Sequence, residues 1–282
     1  MPKEGLLLGA HLPITGGLHK ALERAAEIDC ASVQLFTRNP RGWRAAPLDL
    51  SQVELFRSTA SKLGLTLVAH ASYLPNLASP NEEVHRLSLQ SIQDELERCE
   101  ALGIPYLVLH MGSHLGAGFE TGFHRLVSAC KTIMDKFEGK TMLLLENMSG
   151  QANSMGSKLQ DIAKVLAALG NEDRIGVCLD TCHLFQAGYE LRSERALEKL
   201  FNEIEESFGI DKVKVIHLND SKAAIGSGLD RHERIGKGYI GPNGFRNILR
   251  HRAFRRMPMI LETPVSEWRE YKEDLQILQS LI

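Results

Sequence analysis

Cysteine is scarce in this chain. Five of its 282 residues are cysteine, at positions 30, 99, 130, 178 and 182. They are odd in number and mostly isolated, so no disulfide framework is expected and the thiols should be reduced, as in the cytoplasm. Long apolar runs are lacking too. None approaches the ~20 residues that span a bilayer, and the apolar stretch in MPKEGLLLGAHLP is too short for a signal peptide. No membrane association is expected. Positive charge is not in excess either. A formal net charge of −2 speaks against coating nucleic acid through bulk charge, though it leaves room for a local basic surface. Linkers, low-complexity tracts and close repeats are missing, so residues 1–282 read as one domain and a monomer.

What is present is alternation. Apolar, β-rich runs fall at Leu6–Ala10, Ser32–Phe36, Leu65–His70, Tyr106–His110, Met142–Glu146, Gly176–Asp180, Val213–Leu218 and Pro258–Glu262. They are continuous rather than alternating, as strands buried on both faces are. Amphipathic helical spacing lies between them: Val84, Leu87, Ile92, Leu96 and Cys99 share one face, and Leu126, Cys130, Ile133 and Phe137 another. Ser79-Pro80-Asn81-Glu82 and Ser51 with Glu54 read as capping boxes. Gly64, Gly103, Gly139, Gly170 and Gly209 stand where helices should end. Eight strand–helix repeats predict a single-domain (β/α)8 TIM barrel of the α/β class, with an open doubly wound sheet as the fallback.

The strand ends carry the chemistry. His70, His110, Glu146 and Asp180 close the third to sixth strands, His217 lies near the end of the seventh, and Glu262 closes the eighth. In a barrel these ends converge on one mouth. If they point inward, strand periodicity makes Val68, Val108, Leu144, Cys178, Val215 and Ile260 point inward as well, and all are apolar or small. Six ionisable groups converging without matching Lys or Arg would cost several kcal/mol in desolvation and repulsion. A metal cluster is the simplest compensation. Imidazole and carboxylate without thiolate suit zinc, with manganese or iron as alternatives. Cys178 and Cys182 are the competing thiolate option, but one pair makes a poor zinc site and Cys178 reads as core. His183 lies three residues past Asp180, and Asp230 and His232 alternate on one loop. Together these are too many ligands for one tetrahedral ion, so two or three ions with a bridging carboxylate are expected.

These residues sit in LFTRNPRGWRAAP, HASYLPNL, HMGSHL, LLLENMSGQ, GVCLDTCHLFQAGY, HLNDSK, LDRHERIGKGYIG and ILET. Through those segments, which run over nearly the whole chain, it resembles the endonuclease IV family of apurinic/apyrimidinic endonucleases. The resemblance implies three zinc ions, with manganese an alternative at one site. His70, His110 and Glu146 would hold one ion. Glu146, Asp180, His217 and Glu262 would hold a second, and His183, Asp230 and His232 a third. Ala71 stands where some members carry aspartate. The same resemblance implies a deoxyribonuclease IV activity, hydrolysing the phosphodiester 5′ to an abasic site in double-stranded DNA and clearing blocked 3′ ends. Glu262 would orient the attacking hydroxide, and Glu146 would hold a bridged pair of ions. The resemblance also implies that Arg38, Tyr73 and Leu74 penetrate the DNA. Lys222 and Arg231, with Arg41, Arg44 and Lys237, fall on the mouth side of the predicted barrel and are read from that position as phosphate contacts, as Arg38 is. The rival reading is a metal-dependent sugar isomerase or epimerase using only Glu146, Asp180, His217 and Glu262. A non-catalytic binder of damaged DNA is a third.

Overall fold

A computed structural model describes residues 5–170 and 172–282. Eight parallel strands close into a barrel in chain order: β1 (Leu7–His11), β2 (Ser32–Leu35), β3 (Thr66–His70), β4 (Tyr106–His110), β5 (Met142–Glu146), β6 (Ile175–Asp180), β7 (Val213–His217) and β8 (Pro258–Leu261). Leu7 pairs with Pro258 to shut the ring. The helices are α1 (Leu18–Glu27), α2 (Leu50–Leu63), α3 (Glu82–Leu102), α4 (Phe119–Lys136), α5 (Leu159–Ala168), α6 (Thr181–Gln186), α7 (Glu194–Ser207), α8 (Gly241–Arg250) and α9 (Tyr271–Ser280). The expected strands match to within a residue or so, and the open-sheet fallback falls with the closure.

Two helix starts differ from the capping-box reading. Asp49, not Ser51, caps α2, because its carboxylate accepts the N–H groups of Ser51 and Gln52. Asn81, not Ser79, caps α3 by accepting from Val84 N–H. Ser79 instead receives the Asn81 N–H, which turns the chain just before the helix. Gly64 and Gly103 do end α2 and α3 in the left-handed conformation. Gly139 has no such role, since α4 ends on an extended Phe137.

Inside the barrel, Val68, Val108, Leu144, Cys178, Val215 and Ile260 form a closed cluster of their own, each fully buried. A second and larger cluster fills the space between strands and helices. Burying an aliphatic side chain of this size contributes about 1.5–3 kcal/mol, so the inner ring is a firm floor. It also fixes what lies above it, because residues two further along each strand point the same way. Those residues are His70, His110, Glu146, Asp180, His217 and Glu262.

Candidate metal centre

Strand register places these side chains beside one another. His110 is the direct neighbour of Glu146, and Asp180 of His217. His70 pairs with Val108 and Glu146 with Cys178. The level of these side chains therefore climbs by two residues at those steps, which keeps every one of them on the inner face.

Nine residues meet as three groups, and within each the donor atoms lie within 4.8 Å of one another. In the first, Glu146 Oε2 is 3.2 Å from His70 Nε2 and 3.3 Å from His110 Nε2. In the second, His217 Nδ1 is 3.1 Å from Glu146 Oε1, 3.3 Å from Glu262 Oε2 and 3.9 Å from Asp180 Oδ2. In the third, His183 Nε2 is 3.2 Å from Asp230 Oδ1, and His232 Nε2 is 3.6 Å from the same oxygen. Glu146, fully buried, belongs to the first two groups. The membership is the one that the family resemblance implies. His183 sits on α6, whose N-terminus Asp180 caps. His232 is held by a short antiparallel ladder in which Asp220–Ser221 pair with His232–Glu233.

The donor set fits divalent metal. His70, His183 and His232 each turn Nδ1 to a backbone carbonyl, of Ala71, Asn147 and Glu262 respectively. Since a carbonyl only accepts, Nδ1 carries the proton and Nε2 presents a lone pair to the centre, as in metal-ligating histidines. The lone pairs of His183 and His232 then face each other at 3.5 Å, an arrangement that needs a cation. Burial pushes the Glu146 carboxyl up, but the His217, His110 and His183 rings outweigh it and hold it well below the usual range. Thiolate does not compete. Cys182 reaches Asp180 and His232, but burial pushes its thiol far up, and Sγ donates to the Arg231 carbonyl. Cys178 is raised by burial to about 12 and belongs to the inner ring.

Above the centre lies a cleft of about 310 Å³, walled also by His11, Phe36, Tyr73 and Tyr271. The family model described as xylose isomerase-like TIM barrel matches residues 22–281. A protein named probable endonuclease 4 from Methanoculleus marisnigri is 45% identical over 94% of each chain. The crystal structure of endonuclease IV from Thermus thermophilus superposes with a TM-score of 0.86, at 30% identity, over 97% of this chain and 98% of that one. The chain belongs to the endonuclease IV family. A D-tagatose 3-epimerase-like protein, at 17% identity and a TM-score of 0.72 over 97% and 96% of the two chains, shares the fold alone.

In this endonuclease IV family member, several neutral residues surround the donor groups. Gln34 contacts both His217 and Glu262. Asn147 accepts the Asp180 N–H, and Asn219 donates to Asp180 Oδ2 while accepting the Glu262 N–H. The only signal for the two asparagines is that each follows a ligand by one or two positions.

Asp220 gives no such signal. Its buried carboxylate gathers the N–H groups of Ser221, Gly236, Gly238, Ile240 and Gly241. A Cβ on Gly238 would overlap Ser221 O and that carboxylate. Gly238 thus serves close backbone approach around Asp220, while Gly236 and Gly241 take left-handed backbone and donate to the same carboxylate, and this anchors the chain just past His232.

Arg38 is placed otherwise than the DNA-penetrating role expects. It is 4% exposed, with Nε 3.2 Å from Glu95 Oε1 and further contacts to Ser72, Ser91 and the Trp43 carbonyl. It braces the loops after β2 and β3 from beneath. Tyr73, by contrast, is 64% exposed and meets Phe36 edge-on at 5.1 Å between ring centroids. Leu74 is half-buried, and Arg41, Arg44, Lys222, Arg231 and Lys237 are exposed.

Proposed function

We propose that this chain is a zinc-dependent endonuclease of base-excision repair that cuts double-stranded DNA 5′ to an abasic site and clears blocked 3′ ends. The observation that carries this is the set of three donor groups, two of them joined by Glu146, beneath one cleft. His70, His110 and Glu146 would hold one ion, Glu146, Asp180, His217 and Glu262 a second, and His183, Asp230 and His232 a third. Manganese could replace zinc at one of these positions. When bound, the ions supply an acidified water and Lewis-acid charge for the phosphate and the departing 3′-oxygen.

The protein's own residues set the geometry. Glu262 turns one oxygen to the cleft floor while Gln34 holds the other at 2.6 Å, and in this reading the free oxygen orients the attacking water. The cut leaves a 3′-hydroxyl and a 5′-deoxyribose phosphate. Tyr73 and Leu74, from the loop after β3, are shaped to wedge into the gap left by a missing base, where extrusion of the sugar costs least. Lys222 and Arg231, both exposed, would meet phosphates. Arg38 supports that loop from below.

A sugar isomerase would need only the second group and would leave His70, His110, His183, Asp230 and His232 without work. Incision of an abasic duplex, before and after chelation with zinc content measured, tests the proposal. Activity that survives chelation sinks the mechanism, and one manganese per chain without zinc would favour the isomerase.

A further inference from the structure

Gln34 lies on β2, fully buried, and its one amide touches three rings or carboxylates at once. Oε1 is 2.9 Å from His217 Nε2, and Nε2 is 2.6 Å from Glu262 Oε1 and 3.0 Å from His11 Nδ1. An amide has one accepting oxygen and two N–H donors, whereas a carboxylate only accepts. The atom facing Glu262 must therefore be the nitrogen. The oxygen then faces His217 Nε2, which must carry that ring's proton, leaving Nδ1 bare toward Glu146, Asp180 and Glu262. The second N–H goes to His11 Nδ1, so His11 accepts there and keeps its own proton on Nε2. That Nε2 is buried and has no partner among the described residues.

His217 differs from the other ligand histidines. His70, His183 and His232 have their tautomers set by backbone carbonyls, which no substitution removes. His217 offers Nδ1 instead of Nε2, and a side chain decides this. Reversing the Gln34 amide would set its oxygen against the Glu262 carboxylate and the His11 lone pair. It would also drive the His217 proton onto Nδ1, the atom the second group needs.

We infer that Gln34 is a positioning residue of the second donor group, fixing the His217 tautomer and the Glu262 carboxylate through one amide, and that His11 locks this amide in place. Gln34 plays this part only if the metal reading proposed above holds, whatever the substrate is. Outer partners of metal ligands of this kind are worth roughly 10- to 100-fold in metal affinity.

The test is zinc content per chain as a chelator is titrated into wild-type, Gln34→Leu and His11→Phe proteins, with NMR of the histidine rings. In the zinc-loaded wild type, His217 is expected to be protonated on Nε2 only, and His11 on Nε2. In Gln34→Leu one ion leaves at roughly 10- to 100-fold lower chelator while the others hold. In His11→Phe, which leaves β2 untouched and serves if Gln34→Leu does not fold, the same ion leaves early by a smaller factor. Unchanged release in His11→Phe, uniform weakening of all ions, or a His217 proton on Nδ1 in the zinc-loaded protein overturns the inference. Wild-type protein that takes up no zinc overturns the metal reading as well, which separates the two failures.

Discussion

The Nε2 atoms of His183 and His232 lie 3.5 Å apart, and each ring donates its Nδ1–H to a backbone carbonyl. In the metal-free protein a proton takes the cation's place. Burial lowers the pKa of His183, but Asp180, Asp230 and Glu146 outweigh it and raise it well above 6.5. His70 is raised too, against burial, by Glu146 and Glu262. A raised histidine stabilises the fold below its unfolded value and loses that contribution as pH rises through the folded value. Metal-free protein should therefore melt higher near pH 6.5 than at pH 9. The Glu146 carboxyl, depressed by its histidines, stays ionised throughout that window. Zinc-loaded protein should show the opposite slope, because protons compete with zinc for the rings, and zinc uptake at pH 7 should release protons. Parallel melting curves with and without zinc would count against the centre.

Glu262 tests the chemistry separately from binding. Glu262→Gln keeps an oxygen to accept from Gln34 but removes the charge that faces the cleft floor. Incision of an abasic duplex should fall by at least about 100-fold, while affinity for the uncut duplex stays nearly unchanged. An unaltered incision rate would remove Glu262 from its role.

Arg38 makes a stability prediction. Arg38→Ala strands the fully buried Glu95 without its guanidinium partner, and breaking such a pair costs about 3–5 kcal/mol. Thermal denaturation should show this loss with zinc content preserved. A variant as stable as wild type, but weak on DNA, would return Arg38 to the DNA surface.

The contrast between Arg38 and the nine clustered residues shows what could be read from the chain. Each strand-end member of the three donor groups is an ionisable residue closing an apolar run, so position and chemistry are visible together. His183, Asp230 and His232 announce themselves by close spacing to such a residue or to each other. Arg38 has its partner Glu95 on α3, nearly sixty residues away, and a single arginine among others on a loop gives no hint of it. Gln34 is neutral and sits inside a strand, where a ligand search passes over it. Asp220 looks like a loop carboxylate until five N–H groups are seen to converge on it. The helix starts differ for a smaller reason. In each case two nearby polar residues could cap, and the chain direction outside the helix decides between them.

Tyr73 bears on how damage would be found. Its ring is 64% exposed on the loop that Arg38 braces, and it leans edge-on against Phe36 at the cleft wall. A side chain so exposed adds little to the fold, and Tyr73→Ala should change stability by no more than about 1 kcal/mol. If the ring wedges into the gap beside an abasic sugar, it gains stacking that water does not offer, worth about 1–3 kcal/mol per base. Binding of an abasic duplex should therefore weaken by roughly tenfold or more, while binding of undamaged duplex barely moves. Equal loss on both duplexes would mean that Tyr73 serves general contact with DNA, and discrimination would then have to come from the cleft itself.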